Sequence, residues 1–165
     1  MISHFKKHPI RVRYAVRILF AAVLAMAVLA LAYYISEYHY QLLMIQGRSM
    51  EPSYHPFQIV VIDKHLREYS KGDAVVFSCD EVSVPLIKRV AACQGDSVVI
   101  MNNALFVNGV SIGGESIEYA GLLQDTIILG ENQYIVLGDN INESVDSRYE
   151  QVGIVCAEDI IGRVM

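Results

Sequence analysis

The chain opens on a polar, basic stretch and then loses its polar positions altogether. From Ile18 to Ile35, eighteen successive residues pass without a charge. As a helix this run is roughly 27 Å long, about the hydrocarbon thickness of a bilayer. A helix buried in a soluble core keeps a polar face, and this run has none. The pattern predicts a membrane span. Beyond Glu37 it changes to short apolar runs of strand length, divided by Gly, Asn and Asp. Gln41–Gln46, Gln58–Asp63, Ala74–Ser78, Val84–Ala92, Ser97–Met101 and Ala104–Val107 come first, and Asn108-Gly109 then offers a tight turn into Val110–Ile112. Thr126–Leu129, Gln133–Leu137, Gly153–Cys156 and Ile160–Val164 complete the series. Many short strands at this spacing predict a mainly β domain of antiparallel sheets or a distorted barrel behind one N-terminal helix. The expected organisation is a basic tail at 1–14, an anchor helix at 15–36 and a β domain at 37–165.

Charge gives this arrangement a direction. Lys6, Lys7, Arg11, Arg13 and Arg17 precede the apolar run and no acid does, so the N-terminus is expected in the cytoplasm and the β domain outside. Of 13 Lys plus Arg, the remaining eight face 18 acids, which gives the exported part a formal net charge of −10. Such a domain repels phosphates, so nucleic acid is not an expected partner, whereas membrane lipid is. Tyr33, Tyr34, Tyr38 and Tyr40 follow the run, as rings settling at a membrane interface would. A cleaved signal peptide is the alternative reading, since Ala30-Leu31-Ala32 fits a small-x-small cleavage pattern. The run exceeds the usual core of about 7–15 residues and alanines recur along it, which favours a retained anchor.

Cys79, Cys93 and Cys156 form no CxxC or Cys/His pattern, so structural zinc is not expected. One disulfide of undetermined pairing and three buried apolar thiols both stay open.

Three clusters carry candidate chemistry. Gly47-Arg48-Ser49-Met50-Glu51-Pro52 puts a serine after an apolar run, and on its own reads as a turn. Ile87-Lys88-Arg89-Val90 puts a lysine in an apolar strand, where burial disfavours its charge; an edge strand with the lysine in solvent is the plain alternative. Leu137-Gly138-Asp139-Asn140, continuing to Ser144-Val145-Asp146-Ser147-Arg148, reads as a polar loop. In order and spacing, the three together resemble the boxes of bacterial type I signal peptidases. Lys71-Gly72-Asp73, Gly95-Asp96, the Asn108-Gly109 hairpin and Ile161-Gly162-Arg163 extend that resemblance over nearly the whole chain, and the compact size is similar to the short Gram-positive forms.

The resemblance implies a Ser/Lys endopeptidase without metal or organic cofactor, acting on signal peptides of exported preproteins after small-x-small motifs. Ser49 matches the nucleophile and Lys88 the general base. Ser144 matches the serine that orients the lysine and Asp146 a nearby structural acid, paired with Arg148; Asp139 is assigned a supporting role. Gly47 falls where some members place an oxyanion-binding hydroxyl, which leaves that task mainly to the Ser49 backbone N–H. Leu43-Met44-Ile45, Met50 and Ile87 are the expected lining of shallow apolar pockets for the small residues before the cut.

The residue types agree with the chemistry. A serine hydroxyl needs a base within hydrogen-bond reach, and a lysine serves as one when an apolar strand lowers its pKa. Arg48 beside the serine, Cys93-Gln94 before Gly95-Asp96, and Ile141 after Gly-Asp-Asn depart from the family pattern and point to a specialised substrate set, such as one surface or pilus system. A non-catalytic relative acting as an assembly factor or chaperone would lack the serine or the lysine. A self-cleaving repressor-type protease would need a helical DNA-binding domain. A plain anchored β protein leaves the ordered motifs unexplained.

Overall fold

The computed structural model describes residues 9–79, 81–112 and 116–165, and these form two compact units, Met1–His39 and Tyr40–Met165. The first holds the helix α1, Pro9–Tyr38. The described helix extends beyond the expected 15–36 at both ends. Val12–Ile35 within it is long and apolar enough to cross a bilayer. Lys6 and Lys7 of the expected basic tail lie outside the described residues.

The second unit is mainly β, as the alternation predicts. Its strands are β1 (Tyr40–Met44), β2 (Ile59–Asp63), β3 (Ala74–Cys79), β4 (Val82–Ala92), β5 (Ser97–Met101), β6 (Ala104–Val107), β7 (Val110–Ile112), β8 (Ile127–Ile128), β9 (Gln133–Leu137), β10 (Val155–Cys156) and β11 (Ile160–Val164). All recorded pairings are antiparallel. Seven strands form one sheet in the order β1-β2-β11-β3-β4-β9-β10, and four form another in the order β7-β6-β5-β8. The Asn108-Gly109 turn joins β6 to β7, both residues adopting the positive φ that such a turn demands. Among the described residues no disulfide links Cys79, Cys93 and Cys156.

Alternating side chains fill three cores. One lies under the small sheet, around Val98, Leu105, Leu123 and Ile135. Another gathers Val75, Phe77, Val90 and Val136. The third joins Ile45, Met50, Ile62, Val76 and Ile87, and it supports the middle of β4 and the loop after β1. That loop returns on itself: the N–H of Ile45 donates to the Gln58 carbonyl at 2.9 Å and that of Phe57 to the Ile45 carbonyl at 2.8 Å.

Candidate active site

β4 brings a lysine to a place where lysine is costly. Along Ile87-Lys88-Arg89-Val90 the strand is enclosed, and Lys88 is only 3 % exposed. The alternative of a lysine pointing to solvent is thereby set aside, although β9 pairs with β4 only from Arg89 to Ala92. Lys88 Nζ lies 2.7 Å from the Oγ of Ser49, half-buried in the loop after β1. Burial is the main cause that lowers the lysine pKa to about 8; the charges of Asp146 and Asp139 raise it and that of Arg148 lowers it.

The loop after β9 closes this pair from a second side. The N–H of Asn140 donates to the Ser49 carbonyl at 3.0 Å. Gly138 has no room for a side chain, because a β-carbon there would overlap Ser144 and come within 2.5 Å of the Ser49 carbonyl oxygen. Asp146 and Arg148 are both buried, and their ion pair is two-pronged, with Nε to Oδ1 at 2.8 Å and Nη2 to Oδ2 at 2.9 Å. Arg148 also donates to the carbonyls of Ser144, Ile141 and Tyr119, while Asp146 accepts the Gly138 N–H at 3.1 Å. A buried pair this well satisfied is a rigid frame rather than a reservoir of unpaired charge. Ser144 Oγ is buried and makes no hydrogen bond among the described residues. The structure thus places Ser144 beside Gly138 without the expected bond to Lys88.

A cavity of about 190 Å³ opens onto Ser49 and Lys88. Leu43, Met44, Ile45, Gln46 and the stretch Val84–Ile87 line it. Met50 does not. It is 1 % exposed and packs with Val60, Ile62 and Val76, because the turn after Ser49 folds its side chain inward. Gly47 takes φ +84°, a conformation that favours glycine, and space beside it is open.

Sequence reasoning missed Arg89. Its guanidinium holds both oxygens of Asp139, at 2.7 and 2.6 Å, and the Gly72 carbonyl at 2.7 Å. Burial would raise the Asp139 carboxyl, but the Arg89 hydrogen bonds and charge outweigh it and hold the group below the usual carboxylate range. The signal was strand alternation, which sends Arg89 to the face opposite Lys88. Among the described residues, no three His, Cys, Asp or Glu side chains are grouped to hold a metal ion.

The family model for signal peptidase, peptidase S26, matches residues 13–165. The chain belongs to this family. It is 29% identical over 155 residues to the signal peptidase I of Bacillus licheniformis, covering 86% of this chain and 82% of that protein. It is 27% identical over 172 residues to signal peptidase I P of Bacillus subtilis subsp. natto, covering 96% and 88%. Among solved structures, a signal peptidase I from Enterococcus faecalis aligns with a TM-score of 0.47 and 23% identity, over 59% of this chain and 97% of that one.

Proposed function

We propose that this member of the signal peptidase family is a membrane-anchored serine endopeptidase that removes signal peptides from exported preproteins, with Ser49 as nucleophile and Lys88 as general base. The observation that carries the reading is the 2.7 Å approach of Lys88 Nζ to Ser49 Oγ, made by a lysine whose pKa burial lowers to about 8. A useful fraction of such a lysine is neutral near pH 8. The neutral amine accepts the Ser49 proton as Oγ attacks the scissile carbonyl. The resulting ammonium protonates the leaving amine, and an acyl-enzyme remains at Ser49. Lys88 then takes a proton from water, which attacks the ester and frees Ser49. The Ser49 backbone N–H is the candidate donor to the oxyanion, and no side chain at Gly47 competes for that position.

β4 also offers a backbone. β9 covers it only from Arg89 to Ala92, so on that side Val84–Lys88 have no strand partner among the described residues. A signal-peptide end lying along this edge would direct its short side chains into the cavity lined by Leu43, Ile45 and Ile87. The cavity is small, in keeping with a preference for small residues before the cut.

In this reading α1 stays attached and crosses the membrane with residues 1–14 in the cytoplasm. Residues 37–165 act at the outer surface, where signal-peptide ends emerge. The test is cleavage of an Ala-x-Ala preprotein by the full chain in vesicles. Ser49→Ala and Lys88→Ala are each expected to abolish processing with the β fold intact by circular dichroism. Processing retained in either variant overturns the Ser/Lys assignment.

A further inference from the structure

A second cavity, about 420 Å³ and so larger than the one at Ser49, lies between the two sheets and is lined on one side by Arg89, Gly138, Asp139 and Ile141 and on the other by Leu105 and Ile112. We infer that it is a subsite for an apolar side chain on the mature side of the scissile bond. The inference rests on Ser49 and Lys88 being the catalytic pair.

The path of the substrate follows from the register of β4. A peptide alongside Val84–Lys88 would occupy the lane of β9, end to end with that strand. Arg89 pairs with Leu137, so the next residue, Gly138, stands where the lane reaches Lys88. Chain beyond the scissile bond finds the lane filled and must leave the sheet at Gly138–Asp139. These two residues form the wall of the larger cavity, and the adjoining Asn140 N–H is bonded to the Ser49 carbonyl at 3.0 Å. The same short segment thus borders the nucleophile and the cavity.

The lining decides what enters. Leu105, Ile112, Leu137 and Ile141 present hydrocarbon. Among the described residues, the charged groups lining it are matched, Arg89 by Asp139 at 2.6 Å and Lys71 by Asp96 at 3.0 Å. A charged substrate residue would lose water there without gaining a free counterion. A branched or aromatic side chain would gain burial, and the volume lies within the range of cavities that hold bound groups.

The experiment uses the full-length enzyme in vesicles and one preprotein whose signal peptide is held constant. Mature residues one to four are Ser, or Ser with a single Leu or Phe placed at each position in turn. At one position the apolar residue is expected to raise kcat/KM about tenfold over Ser, the scale of one buried side chain. Ile112→Trp, which fills the cavity from β7, is expected to bring that ratio to about one. Ile112→Ala, which enlarges it, is expected to shift the preference from Leu toward Phe. A flat wild-type profile, or the wild-type ratio unchanged in both variants, overturns the subsite while leaving the catalytic reading in place. Failure of the wild type to cut any of the preproteins overturns the catalytic reading and the subsite with it.

Discussion

Arg89 grips both carboxylate oxygens of Asp139, with Nε to Oδ1 at 2.7 Å and Nη2 to Oδ2 at 2.6 Å. Arg89 follows Lys88 on β4, and Asp139 precedes Asn140, whose N–H holds the Ser49 carbonyl. The pair therefore ties the strand bearing the amine to the loop after β9, which in turn holds the loop bearing the hydroxyl. Being partly exposed, it contributes only about 1 kcal/mol to stability. Its larger effect is on geometry, where a small displacement of reacting groups costs about 100-fold in rate. Arg89→Met is expected to lower kcat by about 10- to 100-fold with KM changed less than about threefold. Arg89→Lys should recover only part of this, because an ammonium cannot bridge two oxygens in a fixed plane. Steady-state kinetics of the full-length variants provide the check; equal losses in kcat and stability across both would make the pair merely structural.

Lys88 links activity and stability to pH in one measurable pattern. Its pKa in the fold is lowered by burial from 10.5 to about 8. Activity requires the neutral amine, so kcat/KM should rise with pH to a midpoint near 8 and level off above it. For stability, the lysine is protonated in both states below about pH 8, and the folded state then bears a buried charge. Between about 8 and 10.5 only the unfolded chain keeps the proton, so stability rises with pH across that window. The shift corresponds to something on the order of 3 kcal/mol. Lys88→Met should therefore be inactive yet melt several degrees higher at pH 7, with the gap narrowing toward pH 10. A variant that melts lower at pH 7 would refute a charge-burial cost at this position.

Much of this architecture was legible because it is local. The bounds of β5, β6, β7, β9 and β11 follow from apolar runs and from Asn108-Gly109, whose turn needs no tertiary support to be read. Lys88 was legible as an anomaly, a charge in an apolar strand. What the sequence hides depends on register. Arg89 and Asp139 lie 50 residues apart, and only the alignment of Arg89 with Leu137 brings them together. Met50 sits in a Ser-Met-x-Pro turn that suggests a surface, yet the turn points it into the core beside Ile62.

Gly138 tests how closely the nucleophile loop and the loop after β9 must approach. A β-carbon there would overlap Ser144 and crowd the Ser49 carbonyl, and backbone at that contact cannot swing aside as a flexible side chain does. Gly138→Ala is expected to cost about 1–3 kcal/mol in denaturant unfolding, as overpacking does. Because relief requires moving Ser49 or Ser144, kcat should also fall by at least about tenfold. Gly47 is the control for space, since among the described residues no atom lies within 4 Å of a β-carbon there, and its φ of +84° is what resists substitution. Gly47→Ala should destabilise through backbone strain of about 1 kcal/mol. Identical unfolding and kinetics for Gly138→Ala and wild type would mean the two loops do not need this contact.

Ser144 separates a structural role from a catalytic one more sharply, because its hydroxyl is buried with no hydrogen-bond partner among the described residues while its carbonyl is held by Arg148 at 3.0 Å. Leaving a buried hydroxyl unpaired costs about 1–3 kcal/mol, so Ser144→Ala should unfold no more easily than wild type and should gain stability if anything. A hydroxyl retained at that cost is explained if it pairs only when the site works, turning toward Lys88 once Ser49 has given up its proton. On that account Ser144→Ala lowers kcat by about 10- to 1000-fold and leaves KM nearly unchanged. Ser144→Thr, which keeps the hydroxyl, should restore activity only as far as the tight contact with Gly138 admits its extra methyl. Loss of stability in Ser144→Ala with kcat intact would reverse the assignment, making the hydroxyl part of the frame around Asp146 and Arg148 and not of the path of the proton.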